Sequence, residues 1–147
     1  MSVAGLVAVG AWSLCCAWED WRKRRISNPL IATGVATAIL WQLVATEGPL
    51  GVTIAGSLAG VGLALLVTVS FYWMGMMGGG DVKFLAVLGY LGGFTTFLFT
   101  IALGALLQLI VASALHLSFR RPMGASQPLA LTHGPVFIGV VLWRHVA

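Results

Sequence analysis

Two aspartates are the residues of this chain whose type and setting could do chemistry. Asp81 follows three glycines, Gly78-Gly79-Gly80, and sits between two long apolar runs. Asp20 closes the first apolar run, beside Trp21-Arg22-Lys23-Arg24-Arg25. The chain holds only four acidic residues. A carboxylate at the edge of a bilayer, or inside it, is costly to keep and marks a site by default. Two carboxylates in one partly dry site do not readily both ionise, so they share a proton. One then acts as general base on a water, and the other as general acid on a carbonyl and later on the leaving amine. Hydrolysis of a peptide bond by this route needs no nucleophilic side chain, cofactor or metal. The glycines ahead of Asp81 are expected to let the backbone approach a substrate strand and to take positive φ angles.

Position alone leaves other roles open. Asp20 could be a surface charge flanking a basic loop. Asp81 could cap the N-terminus of a helix, which Asp does well, and could do so while also being catalytic. Lys83, two residues on, could act on the Asp81 charge, hold a substrate carbonyl, or snorkel to the membrane surface.

The elements that must carry these residues are membrane helices. Of the 147 residues, 59% are hydrophobic and 8% charged, with a mean hydropathy of +0.99. A soluble domain carries about 25% charged residues. This chain cannot cover itself with a polar surface, so the bilayer is its solvent. The net charge of +4 does not point to nucleic acid, because the basic residues are few and lie mostly in short loops. Cys15 and Cys16 are adjacent in an apolar run and form neither a zinc pattern nor a disulfide framework; both read as small buried packing residues. His116, His133 and His145 have no spacing that suggests a metal site. The N-terminus lacks a basic n-region, so the first run reads as a retained helix.

Six apolar segments are expected, in one all-α membrane domain covering 1–147. They are Val3 to Trp18, Pro29 to Thr46, Gly51 to Met74, Val82 to Leu91, Phe94 to Ser118 and Leu129 to Val146. Pro29 suits a first helical turn. Gly56-xxx-Gly60 permits close helix contact. Val82 to Ser118 as one helix would be about 55 Å long, against a hydrocarbon core of about 30 Å. A turn at Gly92-Gly93 is therefore expected. It leaves a short fourth helix after the glycine loop and puts Asp81 at or below the membrane surface. Gly134-Pro135 is expected to break the last run. Gln42 and Gln108 read as interhelical hydrogen-bond partners. Trp18, Trp21, Trp73 and Trp143 fall near segment ends, as an interfacial belt requires; Trp12 does not.

Charge sets the orientation. Arg22, Lys23, Arg24, Arg25, Lys83, Arg120 and Arg121 follow segments one, three and five, and only Arg144 lies on the other side. The positive-inside rule then puts Asp20 and Asp81 on the cytoplasmic side and both termini outside.

Asp20 to Asn28, followed by Gly78-Gly79-Gly80-Asp81-Val82-Lys83, resembles the two motifs of the type IV prepilin peptidases, which are integral-membrane aspartic proteases. The first family motif is an aspartate, a basic stretch and Ile-Pro-Asn; Asp20, Ile26 and Asn28 match it. The second is Gly-x-Gly-Asp, usually followed by an aliphatic residue and Lys; Gly78, Gly80, Asp81 and Lys83 match it. Gly134 to Gly139 is similar to the family's Pro-containing last helix. The resemblance implies catalytic Asp20 and Asp81, supported by Gly78, Gly80, Lys83 and Asn28, with no cofactor or metal. It implies a multi-pass protein of the bacterial or archaeal cytoplasmic membrane that removes the basic leader of a pilin-like precursor. Ser27 stands where the family has Pro. The paired Cys-x-x-Cys motifs of the long, N-methylating members have no counterpart here, so a short, peptidase-only form is expected.

Two other classes remain open. A small transporter or pilus-assembly subunit would use Asp81 to carry a proton or ion. A presenilin-like protease, which shares Gly-x-Gly-Asp, would cut inside its substrate's helix.

Overall fold

Backbone polar groups find no water in hydrocarbon, so each apolar run satisfies its N–H and C=O groups internally as a helix. The computed structural model describes residues 2–23, 25–119 and 129–146. These form five helices, α1 (Val3–Lys23), α2 (Asn28–Ala45), α3 (Ile54–Trp73), α4 (Gly79–Phe119) and α5 (Leu129–Val146), without strands. Val3–Lys23, Asn28–Ala45, Ile54–Trp73 and Gly79–Val111 are long and apolar enough to cross a membrane. Most of their large outward side chains are apolar. Val44 is 88% exposed and Leu66 73% exposed, which suits lipid and not water. Trp18, Trp21, Trp73 and Trp143 are exposed near helix ends. Arg24, Arg120 and Arg121, part of the charge argument for orientation, lie outside the described residues, as do the side chains of His116, Arg144 and His145.

The helix ends follow local chemistry. Thr53 caps α3 by accepting from the Gly56 N–H at 3.3 Å. At the other end Gly75 takes φ 71°, the Gly75 N–H donates to Tyr72 O, and the Met76 N–H donates to Phe71 O. That pair of bonds is a Schellman motif, which closes a helix through a left-handed glycine. Pro29 occupies the first turn of α2, as expected.

Four expectations need correction. First, α1 does not stop at Trp18 but continues to Lys23. Basic residues complement a helix C-terminus, and Glu19 pairs with Lys23 one turn on at 2.8 Å. Asp20 therefore stands on a helix, not in a loop. Second, six separate helices are not confirmed: the fourth and fifth segments run on as α4, although the expected interruption at Gly92-Gly93 is present, two helical stretches meeting at a kink. The interruption is Gly93 alone, at φ 70° and ψ −178°. One glycine in that conformation redirects a helix without a loop. Third, Pro135 lies inside α5 without ending it; helices in membranes tolerate the lost backbone bond. Fourth, Cys16 is buried but Cys15 is exposed, since adjacent helical positions face about 100° apart.

The tightest seam joins α3 to α4. A Cβ on Gly60 would fall 2.0 Å from the Gly89 carbonyl oxygen, and one on Gly89 would fall 2.5 Å from that of Gly60. One turn away Gly56 lies against Gly93. The Gly56-xxx-Gly60 spacing thus does bring two backbones together. Beside the seam, Gln42 of α2 donates to Ser57 Oγ of α3 at 3.1 Å and accepts from the Tyr90 hydroxyl of α4. This buried network meets the expectation for Gln42. Trp12 is an internal tie. Its ring stacks on Phe84 at 5.7 Å, its Nε1 donates to Leu30 O at 2.8 Å, and its indole fills the space over Gly34.

Candidate active site

The end of the bundle away from the Gln42 network gathers the C-terminal turns of α1, the start of α2 and the start of α4. Asp20 lies on the buried face of α1, one turn past Cys16 and Ala17, and is 4% exposed. A solvated loop charge would not be buried in this way. Packing places it there, because Gly5, Val9, Ser13, Cys16, Ala17 and Asp20 line one stripe of the helix.

Asp81 is the third residue of α4 and is partly buried. It does not occupy the cap position. It reaches back, and its Oδ2 accepts from the Gly78 N–H at 3.3 Å. The Asp81 and Val82 N–H groups in turn donate to Gly78 O, at 3.1 and 3.2 Å. A carboxylate at the third helical position that satisfies the cap residue's N–H is one half of a capping box. The local bond fixes the side-chain direction, and the helix dipole favours negative charge at this end.

The glycines behave differently from expectation. Among the described residues positive φ occurs at Gly51, Gly75 and Gly93, and at Thr46. None of Gly78, Gly79 and Gly80 adopts it, because Gly79 and Gly80 already begin α4. Their contribution is room. A Cβ on Gly78 would sit 3.2 Å from Asp81 Oδ2. Gly80 lies against the Ile26 backbone, with its absent Cβ 3.6 Å from Ile26 O.

Two contacts bring the sequence motifs together. One is the Gly80–Ile26 backbone contact. The other runs from Lys83 Nζ to Asn28 Oδ1 at 2.9 Å, between residues 55 apart in the chain. Lys83 is thus directed toward the start of α2 and is exposed. These ties set the start of α4, which carries Asp81, against the segment that follows Asp20. Every residue expected at the site from sequence (Asp20, Asn28, Gly78, Gly80, Asp81 and Lys83) lies at this one end.

Glu19 was not foreseen as part of this arrangement. Its carboxylate accepts from the Ser27 N–H at 3.0 Å, the Ser27 hydroxyl at 2.8 Å and Lys23 Nζ at 2.8 Å. The clue in the sequence was the replacement of a proline by a residue that has an N–H to donate.

A buried carboxylate on α1 and a partly buried one in the first turn of α4 thus stand at the same end of the bundle. No curated protein sequence and no solved structure matches the chain. A family model does, that of the type IV leader peptidase family, over residues 7–113, a stretch that contains both aspartates and both motifs. The chain is a membrane protein that belongs to the type IV leader peptidase family.

Proposed function

We propose that the protein is an aspartic endopeptidase that removes the basic leader of pilin-like precursors at the cytoplasmic face of a bacterial or archaeal cytoplasmic membrane. The observation that carries this reading is the meeting of both motifs at one bundle end, through the Gly80–Ile26 contact and the Lys83–Asn28 hydrogen bond, with Asp20 buried on α1 and Asp81 in the first turn of α4, inside a peptidase family match. One aspartate is ionised and takes a proton from water as that water attacks the scissile carbonyl. The other is protonated and donates to the carbonyl oxygen. Collapse of the tetrahedral intermediate returns that proton to its aspartate, and the amine leaves with the proton taken from water. Such a pair titrates as a unit, so cleavage follows a bell-shaped pH profile.

The substrate's own apolar helix lies in the bilayer beside the bundle. Its leader junction then meets the aspartates at the membrane surface, where the first turn of α4 carries Asp81. Orientation with the aspartates toward the cytoplasm is supported by Arg22, Lys23, Arg25 and Lys83 at the same end, as the positive-inside rule requires.

The test uses purified protein in lipid nanodiscs and a precursor with a basic leader followed by an apolar helix. Mass spectrometry of the products is expected to place the cut just ahead of that helix. Uncut precursor contradicts the reading, and a cut within the helix assigns the protein to intramembrane proteolysis.

A further inference from the structure

Glu19 is adjacent to Asp20 on α1 but does not share its burial. Its Oε2 receives two hydrogen bonds from one residue, the N–H and the hydroxyl of Ser27, eight positions on. Its Oε1 receives Lys23 Nζ, one turn along the same helix. An exposed pair of that kind adds little stability; what it does is aim the carboxylate at Ser27.

Ser27 is the cap residue of α2 and has an extended backbone, φ −73° and ψ 144°. Serine in this position usually accepts from the helix it precedes. Here the side chain makes no cap bond, because its hydroxyl donates to Glu19. The turn between α1 and α2 is therefore closed from α1 and not from α2.

We propose that Glu19 is a positioning residue. Its hold on Ser27 fixes the α1–α2 turn so that Ile26 rests on Gly80 and Asn28 meets Lys83, which sets the separation of Asp20 and Asp81. The proposal rests on the aspartic-peptidase reading above. Proline fixes φ near −65° and has no N–H. The Ser27 φ of −73° falls within the range that proline would impose. The N–H that proline would lack is one of the two groups Glu19 holds. Glu19 thus does by hydrogen bonding what ring closure would do covalently in the resembled motif. The two devices exclude each other at the N–H but give the same backbone.

That equivalence supplies the test. Cleavage kinetics of the precursor are measured on the full chain in nanodiscs, with hydrogen exchange over residues 25–28 on the same samples. Glu19→Ala is expected to lower kcat about 10- to 100-fold with KM changed less than about threefold, since misplacement of reacting groups acts on turnover. Glu19→Gln, whose amide oxygen still accepts from Ser27, is expected to keep kcat within about threefold of the parent. Adding Ser27→Pro to Glu19→Ala is expected to restore kcat to within about threefold. A purely structural loss would not be rescued by a proline eight residues away. Parental kcat in Glu19→Ala, or a loss that Ser27→Pro leaves in place, overturns the proposal. Failure of the underlying reading is separate: a parent that cuts no precursor sinks the peptidase assignment. Hydrogen exchange then decides the latch by itself. Protection in the parent that Glu19→Ala releases supports it, and equal exchange in the two overturns it.

Discussion

The two ends of the α4 leading half are held in opposite ways. Around Gly89 and Gly93 the helix is locked by backbone contact with Gly60 and Gly56 and by the buried Gln42–Ser57–Tyr90 network. Around Asp81 it is held by the Gly80–Ile26 backbone contact, the exposed Lys83–Asn28 hydrogen bond and, one turn on, the Trp12–Phe84 stack. The close-packed end has no room for another atom. The aspartate end combines a buried carboxylate with small residues and exposed polar ties. The difference teaches how a thin helix bundle carries costly charges. At the seam, backbones touch directly and the buried polar groups beside it are satisfied.

Breaking the seam is expected to have the largest effect on stability. Gly60→Leu places side-chain atoms into the α4 backbone, and overpacking of this kind costs about 3 kcal/mol or more. Unfolding in mixed micelles should show a severely destabilised protein, or none recoverable. Gly10→Ala, where a Cβ meets nothing within 4 Å, is the matched control and should leave the transition within about 0.5 kcal/mol.

A smaller loss is expected from the polar network beside the seam. Gln42→Leu leaves the Ser57 and Tyr90 hydroxyls without this partner and should cost about 1–2 kcal/mol. The same variant should keep kcat within about threefold of the parent. A large fall in kcat without loss of stability would show that the two ends are not separable.

At the aspartate end the order reverses. Lys83→Met removes an exposed tie, so stability should change by less than about 1 kcal/mol. Cleavage should fall about tenfold, because one of the two ties between the starts of α2 and α4 is lost. Asn28→Ala should match it, and the two together should cost no more than either alone. Additive losses would mean that Lys83 acts on the substrate and not through Asn28.

The seam was the more legible end. Gly56 and Gly60 are spaced for close contact, and Gly93 stands where the length of the apolar run demands an interruption. Each signal is local, and local chemistry decides it. The aspartate end was legible as a set of residues but not as an arrangement. Hydropathy reports what lipid would meet, so the charged stretch from Glu19 to Lys23 read as loop although its backbone continues α1. The triple glycine suggested positive φ, yet helix formation begins at Gly79. The Glu19–Ser27 and Lys83–Asn28 bonds join residues that no periodicity relates. Trp12 lacked an interfacial place because it stacks on Phe84, a partner that only tertiary structure supplies.

The proposed mechanism requires Asp20 and Asp81 to act as one unit. It is tested most directly by a cycle of four proteins: the parent, Asp20→Asn, Asp81→Asn and the double variant, each folded and assayed for single-turnover cleavage of the same precursor. Groups that act together are strongly non-additive. Each single variant is expected to lose at least about 1,000-fold in rate, with the double variant no slower than either. A single variant that cuts at the parental rate, or two partial losses that multiply in the double variant, would contradict the dyad.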